Sequence, residues 1–149
     1  MTKSTKIIAA AVMLLTLGAG QTPPSTPQNL PKPRIELWRM EAYTAGGRNW
    51  VRYSFLVPNS AAYPAEMFAS APTLPPCGTN TKSSRTWVDF FTAEGKRIYG
   101  FCALGSPADL NKIWFAVERG TPPPPTVYIE MTDRATGSKY RSAPAPTHF

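Results

Sequence analysis

Residues Cys77–Cys102 read CGTNTKSSRTWVDFFTAEGKRIYGFC, and this stretch decides the fold. It holds both cysteines of the chain and two runs rich in aromatic and β-branched residues, at 86–91 and 98–102. Such runs are typical of strands. Between them, Gly95 can adopt the positive φ that a short hairpin turn needs. The stretch therefore predicts a β-hairpin preceded by a polar loop.

A disulfide between Cys77 and Cys102 would tie the start of the polar loop 78–85 to the end of the second strand. Closing a loop of this length stabilises a protein by roughly 3–4 kcal/mol in a chain-entropy treatment. That is a sizeable share of the roughly 5–15 kcal/mol typical of a domain. The alternative is a pair of buried free thiols, and the compartment decides between the two.

Residues 1–20 have the three parts of a secretory signal peptide. Lys3 and Lys6 precede an apolar run at 7–17, and small residues follow at 18–20. The run is shorter than the roughly 20 residues that span a bilayer, although an uncleaved short anchor is the alternative. We therefore predict export to the periplasm or the extracellular space, with no stable membrane span after cleavage. An oxidising environment of this kind favours the disulfide.

The charge balance points to acidic partners. The full chain has 16 basic and 9 acidic residues. Without Lys3 and Lys6, 14 basic residues face 9 acidic ones, a net charge of +5 over 129 residues. That length fits one domain, and the charge favours an anionic glycan, an envelope polymer or an envelope protein. Nucleic acid is excluded as a partner, because the basic residues form no stripe and export removes contact with it.

The chain divides at its proline-rich segments. Residues 21–33 include five prolines among polar residues, which predicts a flexible arm. We assign 34–142 to a single β domain and 143–149 to a disordered tail. Seven segments within the domain have strand character: 34–44, 50–57, 86–91, 98–102, 112–118, 127–132 and 138–142.

Two irregularities interrupt this pattern. The apolar alternation of the first strand slips near Trp38, which predicts a β-bulge. Ser106 followed by Pro107 predicts the start of one short helical turn. About seven short strands with so little helix predict an all-β fold, an antiparallel β-sandwich that is loosely immunoglobulin-like. A small antiparallel barrel is the alternative.

Reactive groups are sparse, so we predict no catalytic residue, no metal site and no cofactor. The single histidine, His148, lies in the predicted tail, where it cannot be held as a base. Asp89 lies between Trp87 and Phe91 on one strand face. Aromatic surroundings could raise the pKa of such a carboxyl group, but an ion pair with a basic residue of the facing strand, at 96 or 97, is the favoured interpretation.

The tryptophans supply the remaining signal. Trp50, Trp87 and Trp114 each fall on the strand face opposite an apolar pair, which would put them on outer faces, where aromatic rings near polar groups can hold sugars. The favoured interpretation, however, is that one or more of them fill the core or cap its ends. The apolar pairs that would form the core are Val51 and Phe55, Val88 and Phe90, and Ile113 and Phe115. The candidate ligand-binding residues are Trp50, Trp87, Asp89, Phe91, Trp114, Asn80 and Arg85.

Several segments carry a resemblance. Residues 74–80, 84–89 and 99–106, continued by 114–116 and 127–134, resemble a family of uncharacterised bacterial secreted proteins. The resemblance implies an exported bacterial domain and no particular activity.

Three functional hypotheses follow. The first is an exported interaction module that binds an envelope glycan or a protein partner. The second is an accessory or structural subunit of an envelope assembly. The third, which we rank last, is a hydrolase that uses carboxylates around Asp89.

Overall fold

The structure is a computed structural model that describes residues 29–75, 77 and 83–149. The predicted signal peptide, residues 21–28 of the arm, and Asn80 lie outside the described residues. The described chain folds into antiparallel strands with three short 3₁₀ turns. The strands are β1 Glu36–Ala45, β2 Arg48–Leu56, β3 Thr86–Thr92, β4 Arg97–Phe101, β5 Ile113–Glu118, β6 Thr126–Asp133, β7 Lys139–Arg141 and β8 Ala145–Pro146.

The strands form two separate sheets. Sheet one has the order β1-β2-β5, and sheet two has the order β4-β3-β6-β7, with β8 also pairing with β6. Two facing sheets confirm the predicted all-β sandwich and remove the barrel alternative. No helix in the described part of the chain has the length and apolar character to cross a membrane.

The core lies between the two sheets. Phe55 and Phe115 of sheet one and Phe90 of sheet two are fully buried, with ring centroids 5.3–5.9 Å apart. Tyr53 stacks on Phe115 at 5.1 Å. The predicted alternation is therefore confirmed, since the apolar pairs of β2, β3 and β5 face inward. No tryptophan belongs to the core cluster, so the favoured interpretation that tryptophans fill the core is wrong.

The predicted bulge is also confirmed. The β1–β2 register shifts between Leu37 and Arg39. The extra residue in a bulge has no partner on the neighbouring strand. Trp38 is accordingly 56% exposed at an outer edge of sheet one.

The disulfide between Cys77 and Cys102 is present, with the Cα atoms 6.1 Å apart. It joins the loop before β3 to the residue that follows β4. The turn between those strands also follows the prediction, since Gly95 has φ +84°. Its amide donates to the carbonyl of Thr92 at 2.9 Å.

Helical turns are more numerous than predicted. The predicted turn is Pro107–Lys112, and further 3₁₀ turns occur at Ser60–Ala62 and Ala65–Phe68. Ser106 precedes Pro107 as expected but makes no side-chain cap hydrogen bond. Its hydroxyl lies 3.2 Å from a carboxylate oxygen of Asp109 instead.

The last residues of the proline-rich arm, 29–33, lie against the domain, which corrects the predicted flexibility for this part. Tyr63 donates its hydroxyl to the carbonyl of Pro31 at 2.8 Å, and Asn59 donates to the carbonyl of Lys32 at 2.9 Å. Burial raises the pKa of Tyr63 to about 12, so the hydroxyl remains a donor. Residues 29–33 need no hydrophobic core of their own, because hydrogen bonds from Tyr63 and Asn59 hold them against the domain.

The tail is a second correction. Ala145 pairs with Val127 in β8, and the hydroxyl of Thr147 donates to the carbonyl of Pro124 at 2.6 Å. Ala145 and Thr147 are both buried. The sequence predicted disorder here because a two-residue strand with a proline has no pattern of its own, and only the neighbouring β6 gives it order.

Candidate functional site

An open groove with a volume of about 500 Å³ lies at the hairpin end of sheet one, on its outer face. Aromatic side chains from four strands form its walls, and small residues lie between them. We call it the aromatic groove. Its lining residues are Tyr43, Ala45, Gly46, Trp50, Tyr99, Trp114 and Ala116.

Strand pairing in sheet one sets the groove's shape. Tyr43 of β1 lies directly opposite Trp50 of β2, so two rings share one outer row. Ala116 of β5 lies opposite Arg52 of β2, and its short side chain leaves space between the walls. The indole nitrogen of Trp50 donates to the carbonyl of Ala45 at 3.2 Å, which holds this ring toward the hairpin.

The far wall is shared by both sheets. Tyr99, from β4 of sheet two, stacks on Trp114 of β5 with centroids 5.4 Å apart and planes 23° from parallel. Phe101 supports both rings, since its centroid lies 5.3 Å from Tyr99 and 6.3 Å from Trp114. Tyr99 remains 43% exposed, so this wall presents a broad aromatic surface to solvent.

Arg52 borders the groove between its two walls. Its guanidinium carbon lies 4.9 Å from the Tyr43 ring centroid and 4.5 Å from that of Trp114. Both distances are within the range of cation–π attraction. The Nε atom is buried without a hydrogen-bond partner. A partly desolvated cation therefore sits among the rings.

The other predicted aromatic residues are on the outer face of sheet two, away from the groove. The guanidinium of Arg134 covers Trp87 at 3.9 Å, and Phe91 stacks on Tyr128 at 5.3 Å. Both rings are half-buried by these contacts. The structure thus brings Trp50 and Trp114 together and leaves Trp87 and Phe91 in side-chain packing.

Asp89 is held by an ion pair, as the sequence favoured. Arg97 donates its Nε to the carboxylate at 2.7 Å. The pair lies over Gly100, where an added Cβ would collide with both side chains. Glycine is therefore required for this approach. The carboxylate is committed to Arg97 and does not line the groove.

Arg85 forms an ion pair with a buried carboxylate of sheet two. Its Nε and Nη2 donate to the two carboxylate oxygens of Asp133 at 2.7 and 2.6 Å. Asp133 is 3% exposed. Burial of this carboxyl opposes ionisation, but the hydrogen bonds from Arg85, Thr136 and the Ala135 amide outweigh it, and the pKa of Asp133 falls below its usual value.

This pair predicts acid sensitivity. Because the pKa of Asp133 is lower in the folded protein than in the unfolded chain, its contribution is complete above pH ~4 and is lost as pH falls through the lower folded value. We expect Arg85→Gln to destabilise the domain by about 1–3 kcal/mol at pH 7, a range reduced because Arg85 is partly exposed. We also expect the loss to shrink at pH 2–3. Urea unfolding at both pH values measures this.

Arg34→Gln serves as the control, because it also removes one positive charge, from an exposed side chain outside the Arg85–Asp133 pair. Glu130 adds a second acid-sensitive contribution, because hydrogen bonds from Lys139 and Arg141 also lower its pKa despite burial. Acid destabilisation should therefore persist in part in Arg85→Gln. An equal loss at both pH values would contradict the prediction.

Sequence reasoning missed Tyr43, Tyr99 and Arg52. Tyr43 and Arg52 could have been found, since the alternation of each strand places them on its outer face. For Tyr43, the bulge in β1 has to be taken into account. Tyr99 could not, because its strand parity directs it inward and only the edge position of β4 brings it to Trp114.

The described residues contain no group of three or more His, Cys, Asp or Glu side chains that could hold a metal ion. The aromatic groove offers rings, tyrosine hydroxyls and one guanidinium, which suit binding. Compared with known proteins, the chain matches no family model, no curated protein and no solved structure.

Proposed function

We propose that this protein is an exported, loosely immunoglobulin-like interaction module that binds an envelope glycan in the aromatic groove. The single observation that carries the proposal is the groove itself: four half-buried or exposed rings around an open space of about 500 Å³. Volumes of about 300–1,000 Å³ are usual for small-ligand sites.

A sugar fits this surface chemically. A pyranose ring has an apolar C–H face and a rim of hydroxyl groups. The C–H face can lie on the indole of Trp50, with Trp114 and Tyr99 forming the wall beside it, and tyrosine hydroxyls can exchange hydrogen bonds with the rim. The signal-like N-terminus and the Cys77–Cys102 disulfide support export, and an exported protein meets envelope glycans.

Trp114→Ala should weaken glycan binding about tenfold or more, because the variant removes one wall and the support of Tyr99. Tryptophan fluorescence of the purified protein, titrated with peptidoglycan fragments, lipopolysaccharide and acidic polysaccharides, measures binding. Trp38→Ala is the matched control, since Trp38 is exposed and outside the groove. Equal binding by both variants, or no fluorescence change with any glycan in the native protein, would count against the proposal.

An accessory role in an envelope assembly is the second candidate. One observation favours it: Trp38 and Met40 are 56% and 42% exposed on β1, which is an edge of sheet one. Exposed apolar edges suit protein partners. This role predicts a defined photo-crosslinked adduct from position 38 in intact cells, with position 34 as the control, and no response of the groove to glycans.

A further inference from the structure

We propose that the groove selects acidic sugars, and that Arg52 recognises their carboxylate. This inference rests on the proposed function and names its ligand class: a uronic-acid polysaccharide. It depends on the state of one arginine and on the position of that arginine relative to the rings.

Arg52 differs from the other arginines of the described chain. Arginines 39, 48, 85, 97 and 141 each pair with a carboxylate. Arg134 is also half-buried and its Nη1 is also buried without a partner, but its Nη2 donates to the carbonyl of Pro75. Within the described residues, Arg52 is half-buried and has neither an ion pair nor a hydrogen-bond acceptor. Its guanidinium therefore has no acceptor within the described protein, and a ligand carboxylate that reached it would displace no existing ion pair.

The carboxylate directly across the β1–β2 pair from Arg52 is committed to another arginine. Glu41 lies opposite Arg52 across the β1–β2 pair, but Arg39 donates its Nη2 to Glu41 at 3.1 Å. At the hairpin end, Arg48 and Glu118 pair with each other at 3.7 Å. These two pairs are neutral on balance, so Arg52 leaves a positive charge beside the groove.

Stacking also orients the guanidinium. The rings of Tyr43 and Trp114 lie 4.9 and 4.5 Å from its central carbon. Only Nε is buried without a partner, so a ligand would bind the guanidinium through its terminal nitrogens. Planar guanidinium groups held in this way form paired hydrogen bonds with carboxylates.

The two features combine in one ligand. A sugar ring in the groove lies within a few ångströms of Arg52, because the guanidinium contacts Tyr43 and Trp114, which both line the groove. The exocyclic carboxylate of a uronic acid would then reach the terminal nitrogens. A neutral hexose has a hydroxymethyl group at that position and gains only a neutral hydrogen bond, which is weaker.

The test compares sugars that differ at this one group. Oligogalacturonate and alginate oligosaccharides are each titrated beside their carboxyl-reduced forms, by calorimetry and tryptophan fluorescence on the purified full chain. We expect the native protein to bind at least one acidic form about tenfold or more tightly than its reduced form. Arg52→Met should remove that preference while binding of the reduced form is retained.

Arg34→Met controls for the loss of one positive charge, because Arg34 is exposed at the opposite end of β1, and it should retain the preference. Arg52→Lys keeps the charge without the planar fork and should have an intermediate preference. Thermal unfolding checks that each variant is folded, and the comparison within the native protein needs no variant.

Two negative results are distinguishable. Equal affinity for acidic and reduced forms, or an unchanged preference in folded Arg52→Met, would overturn acid selection and leave the groove as a glycan site. Absence of binding by all acidic and all neutral sugars would overturn both the inference and the proposed function.

Discussion

Replacing Phe115 with alanine is expected to lower the free energy of unfolding by about 3–5 kcal/mol. The ring is fully buried and contacts Tyr53, Phe55 and Phe90, with centroids 5.1, 5.9 and 5.5 Å away. Because these partners come from both sheets, the cavity would lie where the sheets meet. The loss combines the transfer of the ring to water with the contacts that its neighbours lose.

Chemical denaturation followed by far-ultraviolet circular dichroism measures this effect. Tyr99→Ala provides the matched control, since it removes an aromatic ring that is 43% exposed and should cost markedly less. If Phe115→Ala cost less than Tyr99→Ala, Phe115 would not occupy the centre of the core as described.

Removing the disulfide is expected to cost about 3–4 kcal/mol. The bond joins residues 25 positions apart. Closing a loop of this size lowers the conformational entropy of the unfolded chain, which destabilises the unfolded state by about that amount. The variant is Cys77→Ala with Cys102→Ala. Since the effect acts mainly on the unfolded state, the native circular dichroism spectrum should change little.

Denaturant midpoints of the double variant and the native protein, with and without a phosphine reductant, measure the contribution. Reductant should lower the midpoint of the native protein to that of the double variant and leave the double variant unchanged. Mass spectrometry of the purified protein checks that the thiols are joined. Two free thiols in a folded protein of unchanged stability would contradict the prediction.

Local patterns predicted the parts of the fold that depend on neighbouring residues. The alternation around Phe55, Phe90 and Phe115 has a period of two, so it placed the core and the opposite face of each strand. The slip at Trp38 located the bulge for the same reason. The two cysteines allow one intramolecular pairing, which made the disulfide predictable once export was inferred.

Pairings between distant residues were not predictable in this way. β8 exists because Ala145 meets Val127, and nothing in the local sequence of the tail requires it. Arg85 was interpreted as a ligand contact because its partner, Asp133, lies 48 positions away.

The candidate site was predicted in part for the same reason. Trp50 and Trp114 were identified from their strands, but Trp87, on a different sheet, looked equivalent in sequence. The groove depends on which strands are neighbours, and on the contact between Tyr99 of sheet two and Trp114 of sheet one. Parity indicates whether a side chain points inward or outward, and it contains no information on which outer face two residues share.

The position of residues 29–33 has a consequence for how the molecule would present its groove. These residues contact Asn59 and Tyr63 beside the start of β1, whereas Tyr43 and Ala45, which line the groove, lie at the other end of this ten-residue strand. At about 3.3 Å per residue, the strand separates the two points by roughly 30 Å. Any tether acting through the N-terminal side would therefore hold the domain by one pole and point the opposite pole, with its rings, away from the attachment surface.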